Sequence, residues 1–262
     1  MSNAGHAELA PDGTVSVAID DGVADICFGH PKSNALPATV LRGLADEINA
    51  AGARSDVRAI VLRSYGTGAF CAGASFDELA AIRDRLAGKE FFMGFARVIL
   101  AMTRCPKPIV TCVHGKAVGG GVGIIAASDY VVALSRASLR LSELAVGIGP
   151  FVVGPAIERK IGTGPFSLMA LDAEWRDAMW AERHGLYSRT FDAPAELEQA
   201  LDHRVRELAA SNPEAVRLIK AATWRGTDDW PELLEQRAEM SGELVLSQYA
   251  RAAIERFQAG AR

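Results

Sequence analysis

Two glycine-rich turns, Phe70-Cys-Ala-Gly-Ala74 and Gly115-Lys-Ala-Val-Gly-Gly-Gly121, constrain this chain more than any other feature. Each lies between an apolar run and a segment that reads as a helix. Glycine accepts dihedrals closed to other residues and lets a ligand approach the main chain. Two such turns can aim two backbone N–H groups at one developing negative charge, as activation of a thioester or amide carbonyl requires. Either turn alone is equally explained as a packing device. The pair says more because Ser75-Phe-Asp-Glu78 follows the first as a capping box, with Ser75 as N-cap and Glu78 at the third helical position. The first turn therefore ends at a helix N-terminus, where amides are free and the dipole favours negative charge.

The pattern around these turns is α/β. Val15 to Ile19 and Val23 to Phe28 are short apolar runs split by Asp20-Asp21-Gly22, which reads as a β-hairpin. Pro37 opens a helix with Val40, Leu41, Leu44, Ala45 and Ile48 on one face. Ala59 to Leu62 reads as a strand buried on both sides, and Phe91 to Met102 as an apolar helix. Pro108 to Val113 is the next strand, Gly119 to Ala127 a small-residue helix, Tyr130 to Leu134 a strand and Ser138 to Leu141 a short one. Strand, turn and helix recur from residue 57 to 134, so right-handed crossovers are expected. From Pro165 the pattern is mainly helical, with loops near Gly185 and from Phe191 to Ala195. Asn212-Pro213 marks a helix start, and Leu233 to Phe257 reads as helical and amphipathic. Its exposed apolar face serves either subunit contacts or packing on its own domain.

The 262 residues suffice for one large domain, or for a main domain with an appendage, and 49% apolar content supports a sizeable core. A net charge of −4 speaks against nucleic acid as the partner. Cys27, Cys71, Cys105 and Cys112 lack C-x-x-C spacing and read as buried reduced thiols; Cys71 has no histidine near it in sequence to make it a nucleophile. The five histidines are scattered, so no metal is expected. No signal peptide and no membrane span are visible, which makes the expected location cytoplasmic. Residues 1 to 12 are small and polar and expected to be loose.

A developing oxyanion needs a proton carrier beside it. Glu143, in Leu141-Ser-Glu-Leu-Ala-Val-Gly-Ile-Gly-Pro150, is a lone charge in an apolar segment, and a desolvated glutamate titrates high enough to exchange protons near neutrality. An ion-paired or surface glutamate is the competing explanation.

Taken in order, Ser33-Asn-Ala-Leu36, Val57 to Leu62, the two glycine turns, Leu141-Ser-Glu143 and Gly147 to Pro150 resemble the enoyl-CoA hydratase/isomerase (crotonase) family from about Val15 to the C-terminus. The resemblance implies a spiral of ββα units over residues 1–200, a helical trimerisation region over 201–262, and a homotrimer or dimer of trimers. It implies an acyl-CoA thioester substrate and no permanently bound cofactor, coenzyme A arriving as part of the substrate. Carried over, the thioester oxygen falls to the backbone N–H groups of Ala74 and Gly120, with Glu143 as the proton carrier. Coenzyme A falls along Lys32, Ser33, Ala35 and Leu36 and against Ala72, with Gly73, Gly119, Gly123 and Pro150 also lining the site. Hydratases of the family carry a further glutamate, and here Gly123 stands in its place. The resemblance thus implies enoyl-CoA hydration in fatty-acid or branched-chain metabolism, through a branch that includes methylglutaconyl-CoA hydratases. The alternatives are isomerisation with one glutamate, decarboxylation, or a catalytically impaired thioester-binding protein. Asp77 either replaces the missing acid or answers the helix dipole, the second being favoured.

Overall fold

A computed structural model describes residues 9–260, with side chains to Phe257. Asp21 and Gly22 both take positive φ, 46° and 76°. This is the turn geometry that matches the twist of an antiparallel pair. It closes β1 (Thr14–Asp20) on β2 (Val23–Gly29) in the register Val15↔Phe28. The chain then leaves the sheet through β3 (Ala35–Leu36) and α1 (Ala38–Ala53), which starts directly after Pro37.

The same path repeats. A long strand in the main sheet is followed by a two-residue strand outside it and then by helix. The second turn runs β4 (Ala59–Ser64), β5 (Gly73–Ala74), α2 (Phe76–Ala81) and α3 (Arg85–Arg104). The third runs β6 (Ile109–Val113), β7 (Ala117–Val118) and α4 (Gly120–Ala127), and β8 (Tyr130–Leu134) and β9 (Leu139–Arg140) begin a fourth. The long strands form one sheet in the order β1-β2-β4-β6-β8-β10, parallel after the first pair, while β3 pairs with β5 and β7 with β9. This is the ββα spiral implied by the resemblance.

Alternation along β4 splits its side chains between two cores. Ile60 and Leu62 join the large core under α1, α3 and α4, whereas Ala59 and Val61 meet Leu197, Leu201 and Val205 of α8 (Pro194–Ala210). Burial on both faces is why the strand reads as a continuous apolar run. Each fully buried valine or leucine there contributes about 1.5–3 kcal/mol.

The C-terminal third is helical, as expected, but with three departures. Helix begins at α5 (Gly154–Ile161), before α6 (Thr163–Asp172) and α7 (Ala178–Arg183). Arg189–Phe191 is a sixth strand, β10, which pairs parallel with β8 at Phe191↔Leu134. Three residues, one exposed and two half-buried, carry no apolar run to announce an edge strand. The helical stretch expected from Leu233 to Phe257 is divided into two helices: after α9 (Pro213–Thr223) come α10 (Trp230–Leu244) and α11 (Gln248–Gly260). Ser247 caps the second, its Oγ accepting from Ala250 N at 3.2 Å. The helix start at Asn212 is as read, with Oδ1 accepting from Glu214 N at 3.0 Å. Position 200 lies inside α8. The expectation of a loose N-terminus falls mostly on residues 1–8, outside the described residues.

Two contacts fasten these helices to the core. A Cβ on Gly88 of α3 would lie 2.7 Å from Gly242 Cα of α10, so the two helices cross backbone to backbone. Lys220 of α9 is buried and donates to Asp129 at 2.7 Å and to the Lys107 carbonyl at 2.8 Å.

Candidate active site

The loop before β3 is pinned to the first glycine turn by Asn34. This residue is buried and adopts φ 55°. Its Oδ1 accepts from His30 N, and its Nδ2 donates to the carbonyls of Tyr65 and Ala69, all at 2.9 Å. The Ser-Asn-Ala-Leu motif is thus a clamp. Beyond it, Ala72 N–H donates to the Asn34 carbonyl and Ser75 N–H to the Leu36 carbonyl. Donors to one parallel neighbour ordinarily recur every second residue. Gly73, between these two donors, adopts φ 93°.

The second turn is built from the other side. Gly119, the N-cap of α4, adopts φ 52° and ψ −113°, and its N–H donates to the Arg140 carbonyl at 2.9 Å. Val122 and Gly123 N–H return to the Gly119 carbonyl. The first amides of a helix have no partner within it. Of the two left, Gly121 packs on Cys71, and Gly120 lines the cavity that Ala74 also lines.

That cavity, about 790 Å³, gathers Lys32, Ala35, Ala72, Gly73, Ala74, Gly119, Gly120, Glu143 and Pro150. Three expected residues do not line it. Ser33 is exposed on the loop, and Leu36 belongs to the core. Gly123 is buried beneath Val153, whose Cγ1 and Cβ would lie 2.6 and 2.8 Å from a Cβ at that position. Val153 itself lines the cavity. A side chain at position 123 would therefore run into Val153. Asp77 stands on the cavity's rim in an exposed ion pair with Lys32.

Glu143 precedes a turn of 3₁₀ helix, Leu144–Val146, which closes on Gly147 at φ 77°. The carboxylate lies over Gly119, and its Oε2 is buried with no hydrogen-bond partner. Burial pushes its titration from 4.5 to about 7, against the smaller opposing effect of the backbone amides of Glu143 and Ser142. It is thus a buried carboxyl poised near neutrality rather than an ion-paired one. The apolar wall includes Phe91, Phe92, Phe95, Ile148, Phe151 and Val153. Sequence reading assigned none of these a place in the site. They come from α3 and the segment after Glu143, and only the spiral brings the two together.

The four cysteines are buried and unpaired. Burial pushes the Cys71 thiol up to about 12, which leaves it protonated and inert. Among the described residues no three His, Cys, Asp or Glu side chains gather as metal ligands, and no helix is long and apolar enough to cross a membrane.

Residues 18–258 match the family model described as enoyl-CoA hydratase/isomerase. A hydrolase of a methyl-dioxo-hexahydroindene-carboxyl-CoA from Mycobacterium tuberculosis is 29% identical over 207 residues, 79% of this chain and 82% of that protein. The mitochondrial methylglutaconyl-CoA hydratase of Mus musculus is 31% identical over 200 residues, 74% of this chain and 63% of the relative. The crystal structure of an enoyl-CoA hydratase from Bacillus halodurans superposes with a TM-score of 0.85, covering 92% of this chain and 99% of that one at 22% identity. The match over nearly the whole chain, together with the spiral and its paired glycine turns, makes this protein an enzyme of the enoyl-CoA hydratase/isomerase (crotonase) family.

Proposed function

We propose that the enzyme binds an acyl-CoA thioester with its carbonyl oxygen on the N–H groups of Ala74 and Gly120, and that Glu143 is its sole proton carrier. The observation that carries this reading is the buried Oε2 of Glu143, which has no hydrogen-bond partner and belongs to a side chain lining the same cavity as Ala74 and Gly120. The Glu143 carboxylate removes a proton from the carbon beside the carbonyl, and the bond electrons move onto the thioester oxygen. Each amide donor there lowers the barrier by about 3 kcal/mol. In a 3-enoyl thioester the resulting dienolate takes the same proton back at the γ-carbon, which yields the 2-enoyl isomer with no change in composition.

Isomerisation is the reaction that one carboxylate and an apolar wall support best. Addition of water is drawn with two carboxylates holding it, and a side chain at position 123 would run into Val153. Hydration is retained as the second reading because relatives and neighbours carry that name, the methylglutaconyl-CoA enzyme among them. Incubation with 3-enoyl-CoA and 2-enoyl-CoA separately distinguishes them. Gain of conjugated-thioester absorbance from the first supports isomerisation, and its loss from the second supports hydration. No change with either favours a binding protein.

Coenzyme A, as part of the substrate, is assigned to Lys32, Ala35 and Ala72, which line the cavity. The exposed apolar residues Leu168, Leu171, Met179, Leu218 and Ile219 favour self-association, as a homotrimer or dimer of trimers. Light scattering tests this: a monomeric mass at micromolar concentration refutes it.

A further inference from the structure

Resting on the reading of this cavity as a thioester site, we infer that Arg140 is a group that receives a negative charge of the bound substrate. Arg140 pairs with Val118 across β7 and β9, and both residues line the cavity. The backbone of Arg140 is committed to the site already, since its carbonyl holds the amide of Gly119. The side chain is fixed as well. Its Nε donates to the Ala173 carbonyl at 2.5 Å, at the C-terminal end of α6. That bond uses one of five guanidinium donors and aims the rest.

What the side chain lacks is a counter-ion. Among the described residues Arg140 makes no ion pair within 4 Å, although it is only half exposed. The neighbouring cation Arg176 is matched by Asp172, and Lys32 on the rim is matched by Asp77. Beside Arg140, the Trp175 indole lines the same cavity and carries the Lys116 ammonium 5.1 Å over its ring. A partly desolvated guanidinium on a cavity wall gains most from a planar or tetrahedral oxyanion taken on its fork. A CoA thioester offers such anions in its phosphates, and a dicarboxylic acyl group offers one in its free carboxylate.

Kinetics of Arg140→Met with three thioesters separate the two sources. The substrates are an acyl-CoA, the same acyl group on pantetheine, which has no phosphate ester, and a carboxyl-terminated acyl group on pantetheine. If the phosphates are read, kcat/KM for the CoA thioester falls at least about tenfold further than for the neutral pantetheine thioester, and free CoA binds about tenfold more weakly by titration calorimetry. If an acyl carboxylate is read, the extra tenfold loss falls on the carboxyl-terminated substrate. Arg140→Lys, which keeps the charge, recovers part of either discrimination, and Arg140→Gln serves the same comparison should the methionine variant not fold. An equal loss on all three substrates overturns the inference and leaves Arg140 as a cap on α6. A parent enzyme that binds none of the three overturns the thioester reading and Arg140's role together.

Discussion

A Cβ added to Gly119 would stand 2.9 Å from Oε1 of Glu143 and 3.4 Å from its Cδ. The first glycine of the triplet is therefore the floor on which the carboxylate rests, and its φ of 52° is closed to most side chains. Gly119→Ala is expected to push Glu143 off the position from which it reaches the substrate. A displacement of about 1 Å costs on the order of 10²-fold in rate. The variant should lose at least that factor in kcat while its far-ultraviolet circular dichroism matches the parent. Parental turnover would place the proton carrier elsewhere.

The titration of Glu143 predicts two opposite effects of one substitution. The carboxyl ionises near 4.5 when unfolded and near about 7 when buried, so the folded state holds the proton more tightly between those values. Its contribution to stability is fully present below about pH 4.5 and is lost as pH rises through about 7. Glu143→Gln removes a charge that costs the fold up to about 3 kcal/mol above pH 7. The variant should melt higher than the parent at pH 8 and level with it at pH 5. Its kcat should fall by about 10²–10⁴. In the parent, kcat/KM should rise with pH and level off above about 7, as the carboxylate form accumulates. A flat profile from pH 5 to 9 would contradict the assignment of Glu143 as base.

Much of this site was legible in the chain itself. Glycine-rich turns, a capping box and a lone glutamate in an apolar segment are local signals, and they point to Gly73, Gly119, Ser75 and Glu143 without coordinates. The main strands announce themselves through burial on both faces. What stayed hidden depends on distance along the chain. Phe95 and Val153 are 58 residues apart in sequence, and each reads as an ordinary core residue until the spiral sets both around one cavity. Arg140 looks like a surface charge on a short strand. Position 123 was legible as a missing glutamate, but not as a buried site, since its burial depends on where Val153 falls. β10 was missed because an edge strand of three residues needs no apolar run, and the split at Ser247 because a capping serine inside a helical pattern carries little weight beside its periodicity.

Gly123 and Val153 allow the single-carboxylate reading to be tested by adding the second acid. With Val153 Cβ 2.8 Å from where the Cβ of any side chain at 123 would stand, Gly123→Glu alone forces a charge into a filled core. Overpacking costs about 1–3 kcal/mol and burial of an unpaired carboxylate adds to it. The single variant should therefore melt well below the parent. Gly123→Glu with Val153→Gly opens the space. It should regain part of the lost stability and gain hydration of 2-enoyl-CoA relative to isomerisation of 3-enoyl-CoA. The ratio of the two rates measures this directly, and an unchanged ratio in a folded double variant would show that the second carboxylate is not what separates the reactions here.

Gly120 tests the amide pair. Its Cα faces the Phe95 ring, whose Cζ would lie 2.2 Å from an added Cβ. Gly120→Ala therefore disturbs packing as well as catalysis and does not isolate the amide. Gly120→Pro removes the N–H outright, at the first position of α4, where a proline is otherwise tolerated by a helix. Loss of one oxyanion donor costs about 10²–10³ in kcat. Combining the proline with Phe95→Ala makes room for the ring, so that the surviving loss reports the missing donor. The double variant should fold, bind free CoA within a few-fold of Phe95→Ala, and turn over at least about 10²-fold more slowly than Phe95→Ala alone. Turnover equal to that of Phe95→Ala would mean that the carbonyl oxygen rests on some other donor.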